Sequence, residues 1–117
     1  MSLSERQVKF SVMIADLVIW AAGLNMFLTY GEAYRTDEQQ MIHVANGKSK
    51  VIHSKHQDRL AVDFNLYIMN EYIRDKELYR PLGEKWEALG GRWGGRFGVD
   101  KKDYKEKIGW DSGHFEY

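Results

Sequence analysis

Cysteine is absent from all 117 residues. That excludes a disulfide framework and every thiolate metal site, and it leaves His, Asp and Glu as the strong ligands available. Net charge is absent too: seventeen basic residues balance seventeen acidic ones. No overall field draws nucleic acid or an anionic membrane, so neither is expected as a partner. Proline occurs once, and with 44% hydrophobic and 14% aromatic residues the chain has the apolar surface that disordered segments lack. A long charge-free apolar run is also missing. Residues 10–30, FSVMIADLVIWAAGLNMFLTY, reach the roughly 20 residues a bilayer requires, but Asp16 and Asn25 fall inside and Gly23 interrupts them. Charge at a bilayer centre is costly, so no membrane insertion is expected. The opening MSLSERQ lacks a charged segment leading into an apolar one, so no secretory signal is expected either.

At this length the chain is read as one domain, residues 1–117, with room for a core and none for a second module. Ser4 is expected to cap a first helix whose face of Phe10, Ile14, Leu17, Val18 and Ala21 packs inward, with Gly23 ending it. Met26–Ala33 follows as a strand. Thr36, Asp37 and Glu38 open a short helix bearing Gln39, Gln40, Ile42 and His43, and Asn46–Gly47 turns into the basic run Lys48–Lys55. From Leu60 the residues alternate as a half-buried strand does. Val62, Phe64 and Leu66 point one way, Ala61, Asp63 and Asn65 the other. Tyr67–Arg74 reads as a loop or short helix, Asp75–Arg80 as a connection, and Leu82–Leu89 as a helix ending at Gly90. The segment GGRWGGRFG is too short for a nucleic-acid-binding tract; its glycines let backbone approach either the core or a bound peptide. Trp93 is then either a core residue or a wall against substrate. Val99–Gly109 is a solvated connection. The chain ends on a strand in which His114 and Glu116 share one face and Phe115 and Tyr117 the other.

Two stretches carry the chemistry. In SKHQDRLAVDFNL (Ser54–Leu66), Asp63 lies on the polar face of a strand and His56, seven residues earlier, sits on a loop that can fold over that face. In WDSGHFEY (Trp110–Tyr117), Asp111 and His114 flank a flexible Ser112–Gly113 pair. Imidazole nitrogen and carboxylate oxygen are both good zinc ligands, and catalytic zinc sites use three protein ligands plus a water. His56, Asp63 and His114 are the expected set, with Zn2+ as cofactor. His43 and His53 are expected to be solvent-exposed. Glu116 leaves the same strand face as His114 and is a candidate to orient it. Ser54 bonds either the loop or a substrate.

These residues resemble the zinc peptidases that include D-alanyl-D-alanine dipeptidases and carboxypeptidases and the phage L-alanyl-D-glutamate endopeptidases. The matching pattern is SxHxxxxAxD at Ser54, His56, Ala61 and Asp63, then DxxH at Asp111 and His114. Upstream, an arginine in a YRT context before a glutamine matches Tyr34, Arg35, Thr36 and Gln39. The resemblance implies an α+β fold with a small antiparallel sheet and flanking helices, of the Hedgehog and D-alanyl-D-alanine peptidase kind. It implies Asp111 as general base and Arg35 as the group that stabilises charge on the scissile carbonyl. It also implies a peptidoglycan stem peptide as substrate, with the phage endopeptidase branch favoured by the Trp- and Gly-rich segment. Glycine is common in the dipeptidases and carboxypeptidases three residues after the first histidine, where this chain has Arg59, which favours the phage-type endopeptidase; Arg59 is a candidate to meet a D-glutamate carboxylate. The implied setting is host-cell lysis by a monomer made in the cytoplasm and released to the wall by a holin-type pore. The alternatives are a D-alanyl-D-alanine carboxypeptidase or dipeptidase, and a non-catalytic member that binds wall peptide or scaffolds a larger particle.

Overall fold

The structure, a computed structural model, describes residues 1–51 and 53–117; Ile52, inside the basic run, lies outside the described residues. Helix α1 (Leu3–Gly23) is capped by Ser2, two residues before the expected Ser4. Ser2 accepts from the Glu5 backbone N–H at 3.2 Å and Glu5 reaches back to Ser2, a reciprocal capping box. Ser4 followed by Gln7 carries a similar signature, but the earlier pair keeps more residues inside the helical hydrogen-bond ladder. The buried stripe is Phe10, Met13, Ile14, Leu17 and Ala21, at the three- and four-residue spacing of one helix face; Val18 is only partly buried. After Gly23 the chain reverses through Asn25, whose φ of 59° is left-handed.

Five strands follow: β1 (Phe27–Tyr30), β2 (Ala61–Ile68), β3 (Glu71–Tyr72), β4 (Arg92–Trp93) and β5 (His114–Glu116). They form one antiparallel sheet in the order β1-β2-β5-β4, with β3 also paired to β2. The first strand is shorter than the expected Met26–Ala33. Past Tyr30 the regular ladder gives way to Gly31 N–H on Asp63 O at 2.7 Å and Asp63 N–H on Glu32 O at 2.8 Å, which ties residues 31–33 to β2 and carries Glu32 and Ala33 toward the polar face. Tyr67–Arg74 is neither a loop nor a helix. It is a hairpin: Ile68 pairs with Glu71 across a two-residue turn in which Met69 and Asn70 have φ of 54° and 64°, the left-handed pair that a tight hairpin turn demands.

Helix α2 (Asp37–Ala45) is capped by Thr36, as its sequence suggests. Helix α3 (Arg80–Ala88) carries Pro81 in its first turn, where the missing N–H costs nothing. A 3₁₀ turn, Lys76–Tyr79, leads into it. Helices α1 and α3 cover one face of the sheet. Phe10 meets Trp86 edge-on at 5.7 Å, Trp86 meets Phe115 at 5.9 Å, and Phe115 meets Phe64 at 5.8 Å. Strand alternation therefore sends Val62, Phe64 and Phe115 into this core and leaves Asp63, His114 and Glu116 on the opposite face. The α+β architecture is the one expected. Among the described residues no helix is long and apolar enough to cross a membrane.

Phe115 is fully buried on β5, between β2 and β4. Phe115→Ala should lower unfolding free energy by about 3–5 kcal/mol, measured as a reduced urea midpoint at unchanged slope.

Candidate metal centre

Pairing of β2 with β5 sets Asp63 directly opposite His114. His56 arrives on the turn before β2. The Ser54 hydroxyl accepts from the His56 N–H at 3.1 Å, and Leu60 N–H closes on Lys55 O at 3.0 Å. Ser54 thus serves the loop, one of its two expected roles. Arg59 sits in this turn with φ of 56°, a left-handed conformation that glycine adopts without strain.

The side chains His56, Asp63 and His114 offer ligand atoms that all lie within 4.8 Å of one another. Asp63 Oδ1 is 3.1 Å from His114 Nδ1 and 3.4 Å from His56 Nε2. The edge of a tetrahedron around zinc, with bonds near 2.0–2.1 Å, is about 3.3 Å. Two further observations fit a cation. His56 Nδ1 donates to Ala33 O at 3.1 Å, which fixes the tautomer and leaves Nε2 a lone pair. That Nε2 is the one buried side-chain polar atom without a hydrogen-bond partner among the described residues, and an orphaned acceptor of this kind calls for an explanation.

His114 is held from both sides. Its Nε2 meets Glu116 Oε1 at 2.8 Å and its Nδ1 meets Asp63. Burial opposes its charge, but hydrogen bonds to Asp63 and Glu116 win and raise its pKa to about 9. The same contacts act on the acids. Burial opposes ionisation of Asp63, yet His114 and His56 hold its carboxyl at about 2. Glu116 is likewise lowered, by His114 against burial. Glu116 is therefore placed to keep Nε2–H while Nδ1 faces a cation, the carboxylate–histidine–metal arrangement. Asp111 lies at the edge of the group, its Oδ2 3.7 Å from His114 Nδ1. Burial raises its pKa, with His114 offsetting part of the effect.

Arg35 lines the same cleft. Its N–H bonds His56 O at 3.3 Å, its guanidinium pairs with Glu32, and Nη1 donates to Gln40 Oε1 at 2.5 Å. Gln39 does not take this part. It is exposed on α2 and bonds His43, whereas its neighbour Gln40 is 1% exposed. One helical step of about 100° separates the two side chains, and the inward one is Gln40. The sequence reading missed both Glu32 and Gln40; the Gln-Gln doublet on α2 was the available signal, since Thr36 as cap fixes which residue faces in.

The cleft is open, with a volume of about 950 Å³. Arg59 is not part of it. Its guanidinium stacks on Tyr34 at 4.1 Å and lines a separate apolar hollow beside Phe10 and Ile14, away from the cleft where the expected contact with a D-glutamate carboxylate would lie. Trp93 borders the cleft but is 1% exposed, with Nε1 donating to Ser112 O at 2.7 Å. It supports the Asp111–His114 turn from the core. His53 is exposed and bonded to Asp58, and His43 is turned to Gln39. Gly94 packs under the same turn, where a Cβ would fall 2.1 Å from Asp111 O and 2.8 Å from His114 Cβ.

Because His114 titrates near 9 in the metal-free protein, it is protonated at neutral pH, and a cation must displace about one proton to bind. Asp63, near 2, releases none. Calorimetric titration with Zn2+ in two buffers of different ionisation enthalpy should report that proton, and affinity should fall about tenfold per pH unit below 9. Gly94→Ala should leave the fold cooperative but weaken Zn2+ binding by about 10–100-fold, read by competition with a chelating dye.

A family model described as D-alanyl-D-alanine carboxypeptidase matches residues 47–117. No curated protein matches the chain. Among solved structures, the L-Ala D-Glu endopeptidase ChiX of Serratia marcescens is similar with a TM-score of 0.60 and 21% identity, over 78% of this chain and 66% of that one. A mutant of the vancomycin resistance D,D-pentapeptidase VanY, from a VanB-type cassette and in complex with Zn(II), gives 0.61 and 22%, over 94% of this chain and 71% of its own. VanYB in complex with D-alanine-D-alanine gives 0.61 and 22%, over 94% and 70%. The chain thus spans only about two thirds of the length of these structures, and at such identities they establish the fold. The family match covers well over half the chain, including His56, Asp63, Asp111 and His114, and so the protein belongs to the D-alanyl-D-alanine carboxypeptidase family of zinc metallopeptidases.

Proposed function

We propose that the protein hydrolyses peptidoglycan stem peptides, cutting between L-alanine and D-glutamate, with His56, Asp63 and His114 as the zinc ligands. The observation that carries this reading is the convergence of those three side chains around the orphaned His56 Nε2, with the half-exposed carboxylate of Asp111 3.7 Å from His114 Nδ1. A zinc ion held there would acidify a bound water to a pKa of about 7 and polarise a carbonyl. The protein's own groups supply the rest. Asp111, its carboxyl biased by burial toward holding a proton, accepts the proton of the attacking water and passes it to the departing amine. Arg35 meets negative charge on the scissile carbonyl oxygen, with Glu32 and Gln40 fixing its guanidinium. Glu116 keeps His114 aligned.

A second reading has its own support. The family description names D-alanyl-D-alanine carboxypeptidase and VanYB is similar in complex with D-alanine-D-alanine, so release of a terminal D-alanine is the competing reaction. Mass spectrometry of fragments from defined peptidoglycan separates the two. New D-glutamate amino termini are the expected product, free D-alanine would assign the carboxypeptidase, and no chelator-sensitive product of either kind would sink the peptidase reading. Asp111→Asn should keep its zinc content and lose about a hundred- to ten-thousand-fold in kcat, with the loss on the chemical step.

A further inference from the structure

The chain is neutral overall, yet its cations are not evenly spread around the metal cleft. Lys48, Lys50 and Lys55 all line it, on the segment that leads from α2 to His56. The cleft's acids are already matched. Glu87 is bonded by Arg96 at 3.0 and 3.1 Å, Glu116 by His114 at 2.8 Å and Arg92 at 3.3 Å, and Asp63 by His114 at 3.1 Å. Asp111 faces His114. Among the described residues, none of the three lysines has a carboxylate within ion-pair distance; Lys55 acts on Glu116 only through its longer-range field.

The segment that carries Lys48 and Lys50 is also held in place. Gln40, fully buried, donates to Ser49 Oγ at 3.0 Å and Val51 O at 2.6 Å while accepting from Arg35. Lys48 and Ser49 N–H groups both close on His43 O, at 2.8 and 3.1 Å. Lys50 Nζ rests 4.5 Å from the ring centre of Trp110, the half-exposed residue beside Asp111. One amide therefore fixes the chain on either side of Lys50 relative to the arginine, and the Trp110 face holds the Lys50 charge over the cleft without neutralising it.

Resting on the peptidase reading, we propose that Lys48, Lys50 and Lys55 form a carboxylate-reading wall that selects stem peptides with free acidic groups over their amidated forms. A free carboxylate meets preorganised, unmatched positive charge; an amide of the same shape gains none of it. Discrimination should therefore appear in substrate binding, and salt should weaken it.

The test uses the zinc-loaded protein and two synthetic stem peptides identical except for the D-glutamate α-carboxyl group, free in one and amidated in the other. The free acid is expected to have a KM about tenfold lower at similar kcat, with the advantage shrinking as salt is added. Lys48→Gln/Lys50→Gln/Lys55→Gln should abolish the preference, bringing the KM of the free acid level with that of the amide. The corresponding triple arginine variant should retain it, which separates charge from loss of structure. Binding of both peptides to Asp111→Asn protein, by calorimetry, gives the same comparison without turnover. Equal KM and equal binding for the two peptides, or a preference that survives in the glutamine variant, overturns the lysine wall. Inertness toward both peptides alongside preferential binding of the free acid would instead count against the peptidase reading and leave the wall standing.

Discussion

Everything at the metal centre depends on the antiparallel pairing of β2 with β5. The register that opposes Val62 with Phe115 and Asp63 with His114 serves two purposes at once. It drives two apolar side chains into the layer beneath α1 and α3 and lifts a carboxylate and an imidazole, 51 residues apart in sequence, onto the other face. Slipping by one residue would turn Phe115 to solvent and bury His114 against aromatics, so burial of the core enforces the geometry of the site. The ligand pair is stable because hydrophobic burial has already decided it.

What the strands do not supply, irregular segments do. Residues 31–36 and 54–60 are coupled by Arg35 N–H on His56 O and by His56 Nδ1 on Ala33 O. One bond positions the arginine and the other chooses the tautomer of the histidine, so that Nε2 is left facing Asp63. Gln40 extends the coupling to the loop beyond α2 through its bonds to Ser49 and Val51. The cleft is therefore assembled from loops that share hydrogen bonds, above the two central strands of the sheet, whose other face is packed into the core.

The electrostatics follow from that assembly. Three acids and two histidines are crowded into a partly buried cluster, and each carboxylate is stabilised by an imidazole that would have to surrender a proton to a cation. Asp111 is the exception: burial dominates and raises its pKa. Carboxylates in one cluster are thus driven in opposite directions by environment, which suits one to binding and another to carrying protons.

Much of this was legible in the residues. The alternation Val62, Phe64, Leu66 against Asp63, the His114–Glu116 face, the spacing of Phe10, Ile14, Leu17 and Ala21, and the Thr36 cap all report local periodicity or local hydrogen bonding, and local chemistry is written directly in sequence. Candidate metal ligands could be named because a cysteine-free chain offers few residues of that chemistry and their motifs are well spaced; the fold brings His56, Asp63 and His114 within reach of one cation. Other features depended on the completed fold. Ser2 displaced Ser4 as cap because two similar signals competed. Met69 and Asn70 made a hairpin because strands beside them were already paired. Gln40 replaced Gln39 because the direction of α2 decides which neighbour is buried. Arg59 turned away from the cleft because its backbone had to be left-handed and its side chain found Tyr34. Sequence determined which groups could bind a cation and which faces were apolar; only tertiary packing decided which polar side chain met which, since that choice rests on contacts between segments far apart along the chain.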